Sequence, residues 1–331
     1  MYDNFALGLD ISHYDEKIDA EQLKGNVDFL IIKAGGSDGG YIYIDNRFAE
    51  RVQMAYDIGV PAMAYWFVGP EYWLNQQYTL EKVTGLPDER HAVLQMILNQ
   101  LRNKLVYGLF FDVEDASIKT ASGKVVPQAW VEFYVSDLVR RLRGQMRAGN
   151  LREMKLGTYS RKSFIENPNN RQTSLETYLG TQSDLAIWTA NWVTGTGLLL
   201  PMSEIYNLRP THAPLTYGYC PDRSADWQFW QWSGDRGKVY RSPAITNSSG
   251  YARGLDIDLF NGTPAQLREW LGIQPDQVNP PDPTEPVEDE TPPANNDISD
   301  LWLSVGALTT QMETLKQEMA KILTWKNQPL E

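Results

Sequence analysis

Eight short apolar runs punctuate the first 260 residues, and their spacing restricts the fold more than any other feature of the chain. In order they are LGLDIS (7–12), DFLIIKAG (28–35), VPAMAYWFV (60–68), LVYGLFFDVE (105–114), KLGTYS (155–160), DLAIWTANW (184–192), DWQFWQWSG (226–234) and ARGLDIDLF (252–260). Each has the length of a strand and is bounded by Gly, Pro, Asp or Asn, residues that end regular structure. The segments between the first five read as helices. In PQAWVEFYVSDLVRRLRGQM, for example, Val131, Val135, Leu138, Val139, Leu142 and Met146 keep one face apolar. Strands alternating with helices require a parallel sheet covered by helices, because each strand must be carried back to the same end. After the sixth run the connections are rich in Gly, Pro and Thr and lose the helical period until PAQLREWLG (264–272). The expectation is an α/β, TIM-like barrel whose later helices have degenerated. An open doubly wound sheet competes, but no GxGxxG follows the first strand to support its nucleotide site.

The barrel is assigned to residues 1–273. Residues 274–297 hold seven prolines, seven acids and no Lys or Arg, which reads as an extended acidic linker. Beyond it, over 298–331, Ile298, Leu301, Val305, Leu308, Met312, Leu315, Met319 and Ile322 follow a heptad spacing. That seam predicts a C-terminal helix over 298–322 that self-associates as a coiled coil or docks on a partner; folding back onto the barrel is the competing reading. The formal net charge of −12 argues against nucleic acid as a partner, and since the linker carries −7 of it, the acidity says little about substrate. One cysteine, Cys220, excludes an internal disulfide. Three histidines, His13, His91 and His212, lack metal-ligand spacing, so no cofactor or metal is expected. The N-terminus carries no Sec-type signal and no run approaches a membrane span. A chain of this kind is expected to be made in the cytoplasm and to reach any outside target through lysis, a holin or a dedicated secretion system.

GLFFDVEDA (108–116) brings three acids to the end of an otherwise apolar strand. Residues i and i+2 of a strand share a face, so Asp112 and Glu114 point together while Val113 points away and Asp115 is expected to turn outward. Catalytic side chains of a TIM-type barrel sit at the C-terminal ends of its strands. Asp10 occupies that place in GLDIS, and Asp256 and Asp258 are read toward the end of the eighth strand in GLDID. A lone D-x-E is often a turn or a cap, but acids delivered by three strands to one mouth point to chemistry, since crowded carboxylates raise one another's pKa as a general acid requires. Phosphoryl transfer could use such acids, yet no phosphate-cradling loop accompanies them. Hydrolysis of a glycosidic bond needs two carboxylates and no cofactor. Tyr65, Trp66, Tyr159, Trp188, Trp192, Trp227, Trp230 and Trp232 lie in or at the ends of the strands, where aromatic faces can hold sugar rings. Some must fill the core instead, because alternation forbids Trp227 and Trp230 from both pointing inward.

Taken in order, GLDIS, IIKAGG, AYWF, FFDVE, GTYS, IWTANW, WQWS and GLDIDLF resemble the glycoside hydrolase family 25 muramidases, over residues 7 to about 272. The resemblance implies a (β/α)5(β)3 barrel that cleaves the β-1,4 bond between N-acetylmuramic acid and N-acetylglucosamine, with bacterial peptidoglycan as the partner. It further implies Glu114 as proton donor, Asp10, Asp112 and Asp256 as the other acids of the site, and Tyr65, Tyr159, Trp188 and Gln231 along the sugar groove. Trp66, Trp230 and Asp258 complete the expected substrate-binding set. Asp258 ranks below Asp256 because the family often has Asn there, and Trp66 stands where the family usually has His. Both a direct carboxylate nucleophile and attack by the substrate's own N-acetyl oxygen fit the residues, each with retention of configuration. A chitinase-like barrel also ends its fourth strand in D-x-E, but preceded by a longer acidic run than GLFF. A barrel that binds glycan without cleaving it, carried by its C-terminal helix, is the alternative of a different class.

Overall fold

All eight predicted runs form strands in a computed structural model of the chain, which describes residues 4–38, 41–69, 87–114, 128–161, 185–190, 192, 197–208, 227–234 and 240–274. The order is β1 (Leu7–Ile11), β2 (Lys17–Ile18), α1 (Ala20–Leu23), β3 (Phe29–Asp38), β4 (Tyr41–Ile44), α2 (Phe48–Asp57), β5 (Ala62–Phe67) and α3 (Pro87–Leu101). There follow β6 (Val106–Asp112), α4 (Gln128–Arg147), β7 (Lys155–Arg161), β8 (Ala186–Ala190), β9 (Leu198–Leu199) and α5 (Met202–Tyr206). The described chain ends with β10 (Trp227–Ser233), β11 (Tyr240–Thr246), β12 (Ala252–Gly254), β13 (Asp256–Phe260) and α6 (Pro264–Trp270). The expected linker beyond Gln274, the C-terminal helix and the outward turn of Asp115 lie outside the described residues.

Strands β1, β3, β5, β6, β7, β8, β10 and β13 close into an eight-stranded barrel, sealed where β1 pairs with both β3 and β13. Seven of them are parallel. The eighth, β13, runs antiparallel to β10 and to β1, which corrects the expectation that Asp256 and Asp258 end their strand. The chain leaves β10 at the mouth of the barrel and stays there through β11 and β12, which pair with each other, with β2 and with β9 in a small second sheet. No crossover carries it back, and a strand entered from the mouth must run downward. Asp256 is therefore the first residue of β13, opposite Asp10, and Asp258 lies two residues deeper, opposite Gly8.

The two faces of each barrel strand feed two separate apolar clusters. Leu7, Leu9, Leu30, Ile32, Ala64, Trp66, Leu109 and Phe111 pack outward with helix residues such as Phe48 of α2, Ile97 of α3 and Leu138 of α4. The predicted apolar face of α4 is buried throughout, from Val131 to Met146. The alternate residues, among them Phe29, Ile31, Met63, Phe110, Trp188, Phe229 and Phe260, fill the interior. At the lower end Phe229 meets the rings of Phe29, Phe110 and Phe260, each at 5.3 Å between centroids, and that of Trp270 at 5.6 Å. Inward glycines make room for this plug: a Cβ on Gly8 would lie 2.3 Å from the Phe29 ring. Helix α6 closes the end with Leu267 and, just after it, Leu271 and Ile273, held by a Thr263–Gln266 capping box.

Candidate active site

Above the aromatic plug the inward residues change character. Asp10 (β1), Lys33 (β3), Tyr65 and Phe67 (β5), Asp112 (β6) and Glu114 just beyond it, Tyr159 (β7), Trp188 (β8), Gln231 (β10) and Asp256 (β13) line an open cavity of ≈ 320 Å³. The four acids expected to carry chemistry thus share one cavity. Strand order places β6 across the barrel from the β1–β13 seam, so Asp112 and Glu114 face Asp10 and Asp256 over the gap. Asp112 is almost fully buried, whereas Glu114 keeps part of its surface in the opening. Asp258 lies below with no accessible surface.

Gln231 ties the site together. Its Oε1 accepts hydrogen bonds from Tyr159 Oη at 2.9 Å and Trp192 Nε1 at 2.7 Å, and its Nε2 donates to Asp10 Oδ2 at 2.7 Å. The indole nitrogen is only a donor, so the atom facing it must be the amide oxygen, which fixes the amide and leaves Nε2 toward the carboxyl. Trp188 packs on Tyr159 with ring centroids 4.4 Å apart and donates through Nε1 to Asp258 Oδ1 at 2.7 Å. Trp66 and Trp230 do not reach the cavity: both are fully buried in the outward cluster. Trp66 must point away because its neighbour Tyr65 points in, and irregularities in β10 on either side of Phe229–Gln231 put Trp227, Trp230 and Trp232 on one outer face. The expectation that Trp66 and Trp230 bind substrate is corrected accordingly.

Sequence reasoning missed Lys33, Tyr14, Asp15 and Arg253, all of which line the cavity. Lys33 was legible, being two residues after inward-facing Ile31. Its ammonium sits between the rings of Phe67, Tyr43 and Tyr65 at 5.4–5.6 Å. Burial opposes its charge, but the Tyr43 hydroxyl and the Asp112 carboxylate outweigh that and hold its pKa above the ordinary value. Tyr14 and Asp15 belong to the loop after β1, which no periodicity describes. Buried Arg51 donates to the carbonyl oxygens of Ser12 and Asp15, Asp45 Oδ2 accepts from His13 N at 2.8 Å, and Arg253 Nη1 donates to Tyr14 O at 2.7 Å. The loop is therefore pinned as one wall, with Tyr14 left 58% exposed at the rim.

Charge crowding shows in the groups around the acids. Burial, then repulsion from Asp10 and Asp112, pushes the Tyr65 phenol far up; burial, then Glu114 and Asp112, does the same to Tyr159. Both hydroxyls stay neutral donors at any working pH. The Asp10 carboxyl is raised by burial and then by Asp258, and that of Asp258 by burial. Among the described residues no three His, Cys, Asp or Glu side chains are grouped as ligands for a metal ion.

Fold and site together define a TIM-like barrel, closed by one antiparallel strand, with a carboxylate-lined and aromatic-walled mouth. No protein-family model and no curated protein matches the chain. Among solved structures it is similar to the catalytic domain of endolysin ply40 from bacteriophage P40 of Listeria monocytogenes, with 16% identity, 82% of this chain and 98% of that chain covered, and a TM-score of 0.51. It is also similar to the spore cortex lytic enzyme SleM of Clostridium perfringens (20% identity, 77% and 67% covered, TM-score 0.49) and to a lysozyme from Streptomyces coelicolor (18%, 81% and 96%, TM-score 0.48). At these identities the likeness is one of fold alone, the barrel that the order of strands and helices implied.

Proposed function

We propose that the protein is a peptidoglycan hydrolase of the muramidase type, cleaving the β-1,4 bond between N-acetylmuramic acid and N-acetylglucosamine. The observation that carries this reading is the arrangement of Glu114 and Asp112 across one cavity from Asp10 and Asp256, with aromatic side chains between them. A glycosidic bond held there is reached by carboxyl groups from both sides, as its hydrolysis requires. Glu114, the partly exposed member, protonates the leaving oxygen. Either a carboxylate of the site attacks the anomeric carbon and water then hydrolyses the glycosyl-enzyme, or the substrate's own N-acetyl oxygen attacks while Asp112 orients and stabilises it and water opens the resulting ring; both routes retain configuration. Tyr65, Tyr159, Trp188 and Gln231 shape the groove. Barrels of this fold include a phage endolysin catalytic domain, which supports the same target for this chain, reached after release by lysis, a holin or a secretion device. The heptad seam over 298–322 is assigned to self-association or docking, and sedimentation of the full chain against residues 1–273 tests it: equal monomeric behaviour removes that assignment.

The enzymatic test is digestion of purified peptidoglycan by the wild type and by Glu114→Gln, with fragments and new reducing ends identified by mass spectrometry. Muropeptides ending in N-acetylmuramic acid from the wild type alone establish the reaction and its acid. Intact strands that both proteins still bind turn the barrel into a glycan-binding module; new N-acetylglucosamine ends indicate a different glycosidase.

A further inference from the structure

At the cavity floor, the carboxyl groups of Asp10, which lines the cavity, and Asp258, buried beneath it, are neighbours. Asp258 projects inward from β13 with none of its surface exposed, and its Oδ1 is occupied by Trp188 Nε1 at 2.7 Å. Its Oδ2 is buried and has no donor against it. The neighbouring carboxyl is that of Asp10, which projects inward from β1 beside β13 and whose Oδ2 is already taken by Gln231 Nε2 at 2.7 Å. Each carboxyl therefore has one neutral donor and the other acid as its neighbour. A carboxyl–carboxyl hydrogen bond exists only if a proton lies between the two.

We propose that Asp10 and Asp258 share one proton and act as a single unit of one negative charge, with Asp258 the positioning residue that holds Asp10 against Gln231 at the cavity floor. This rests on the muramidase reading for its use, though not for its existence. The unit limits the charge beside Asp112, Glu114 and Asp256, where an ionised pair would add a second anion. The groups facing it come from every surrounding strand. Asp256 lies above it on β13, Asp15 follows β1, and Tyr65, Tyr159 and Trp188 present neutral polar edges from β5, β7 and β8. Lys33, the cation on β3, is engaged with Tyr43 and Asp112. Burial raises both members of the pair, and the Coulomb repulsion between them adds to the shift of Asp10. The shared proton is thus held to a higher pH than an ordinary carboxyl would hold it.

Replacing either acid by Asn preserves the hydrogen bonds and removes the titration. In Asp258→Asn the carbonyl oxygen accepts from Trp188 and the amide donates to an ionised Asp10. In Asp10→Asn the amide donates to Asp258 and its oxygen accepts from Gln231. A proton bound more tightly in the folded state than in the unfolded one stabilises the fold at low pH, and that stability is lost as pH rises through the folded value. The experiment follows the melting temperature of the full-length wild type, both single variants and the double variant from acid to alkaline pH. The expected result is a wild-type curve that falls away from both single variants as pH rises, by roughly 3–5 °C for each pKa unit of the shift. The two single variants lose the same step, and the double variant loses no more. Parallel curves for the wild type and the single variants, or additive effects in the double variant, overturn the proposal. Melting requires no substrate, so the result stands whether or not peptidoglycan is cleaved. If it is cleaved, the alkaline limb of kcat/KM that tracks this proton is present in the wild type and absent in Asp258→Asn.

Discussion

The lower and upper halves of the barrel interior are built from the same strands and differ in almost everything else. Below, Phe29, Phe110, Phe229, Phe260 and Trp270 interlock edge to face or tilted. Above, two to four residues further toward the mouth, the same strands present Asp10, Lys33, Asp112, Gln231 and Asp256. Burying so many like charges costs stability, and the plug beneath them offsets that cost. The contrast teaches how one barrel divides its interior: packed rings fill the floor, and the inward side chains above them are held by hydrogen bonds and ring contacts.

Glu114→Gln should separate the halves most sharply, lowering turnover on peptidoglycan by about 10²–10⁴-fold with a melting temperature close to wild type, the ordinary worth of a positioned acid. Phe229→Ala is the converse, costing about 3–5 kcal/mol of stability in a denaturant titration because four ring contacts end in a cavity. A larger loss from Glu114→Gln in stability than in turnover would break the division of labour. Trp188→Phe probes the boundary, since its indole belongs to the interior while its Nε1 serves Asp258. Leaving that buried carboxyl without its donor should cost about 1–3 kcal/mol, seen as a stability deficit that grows with pH as the pair is forced to ionise. The smallest expected change is Thr263→Ala, which removes the cap of α6 at the lower seal and costs about 1 kcal/mol with turnover unaltered.

Much of this was legible in the residues. Asp112 and Glu114 share a face because a strand repeats every two residues, and the cavity lining follows that rule at β6. Lys33 obeys the same rule, two residues after inward-facing Ile31. Trp66 cannot share the groove with Tyr65, because adjacent residues of a strand face opposite ways. Trp230 was harder: the irregularities of β10 shift its alternation, and bulges leave no mark in a pattern of apolar residues. The Tyr14–Asp15 wall was out of reach, since it depends on Arg51 and Arg253 arriving from remote parts of the chain.

Strand positions, the inward or outward sense of most side chains and the acids of the D-x-E pair were determined by the sequence itself, because they follow from backbone geometry over a few residues. The direction of β13 was decided only in the tertiary structure. GLDID alternates identically whether it runs up or down, and only the path through β11 and β12 brings it in at the mouth. That reversal sets Asp256 beside Asp10 and sinks Asp258 beneath it, turning two acids of one short strand into a half-buried group of the cavity wall and a fully buried partner. The physical reason is that periodicity encodes which face a residue occupies, whereas its depth and neighbours depend on the strand laid against it.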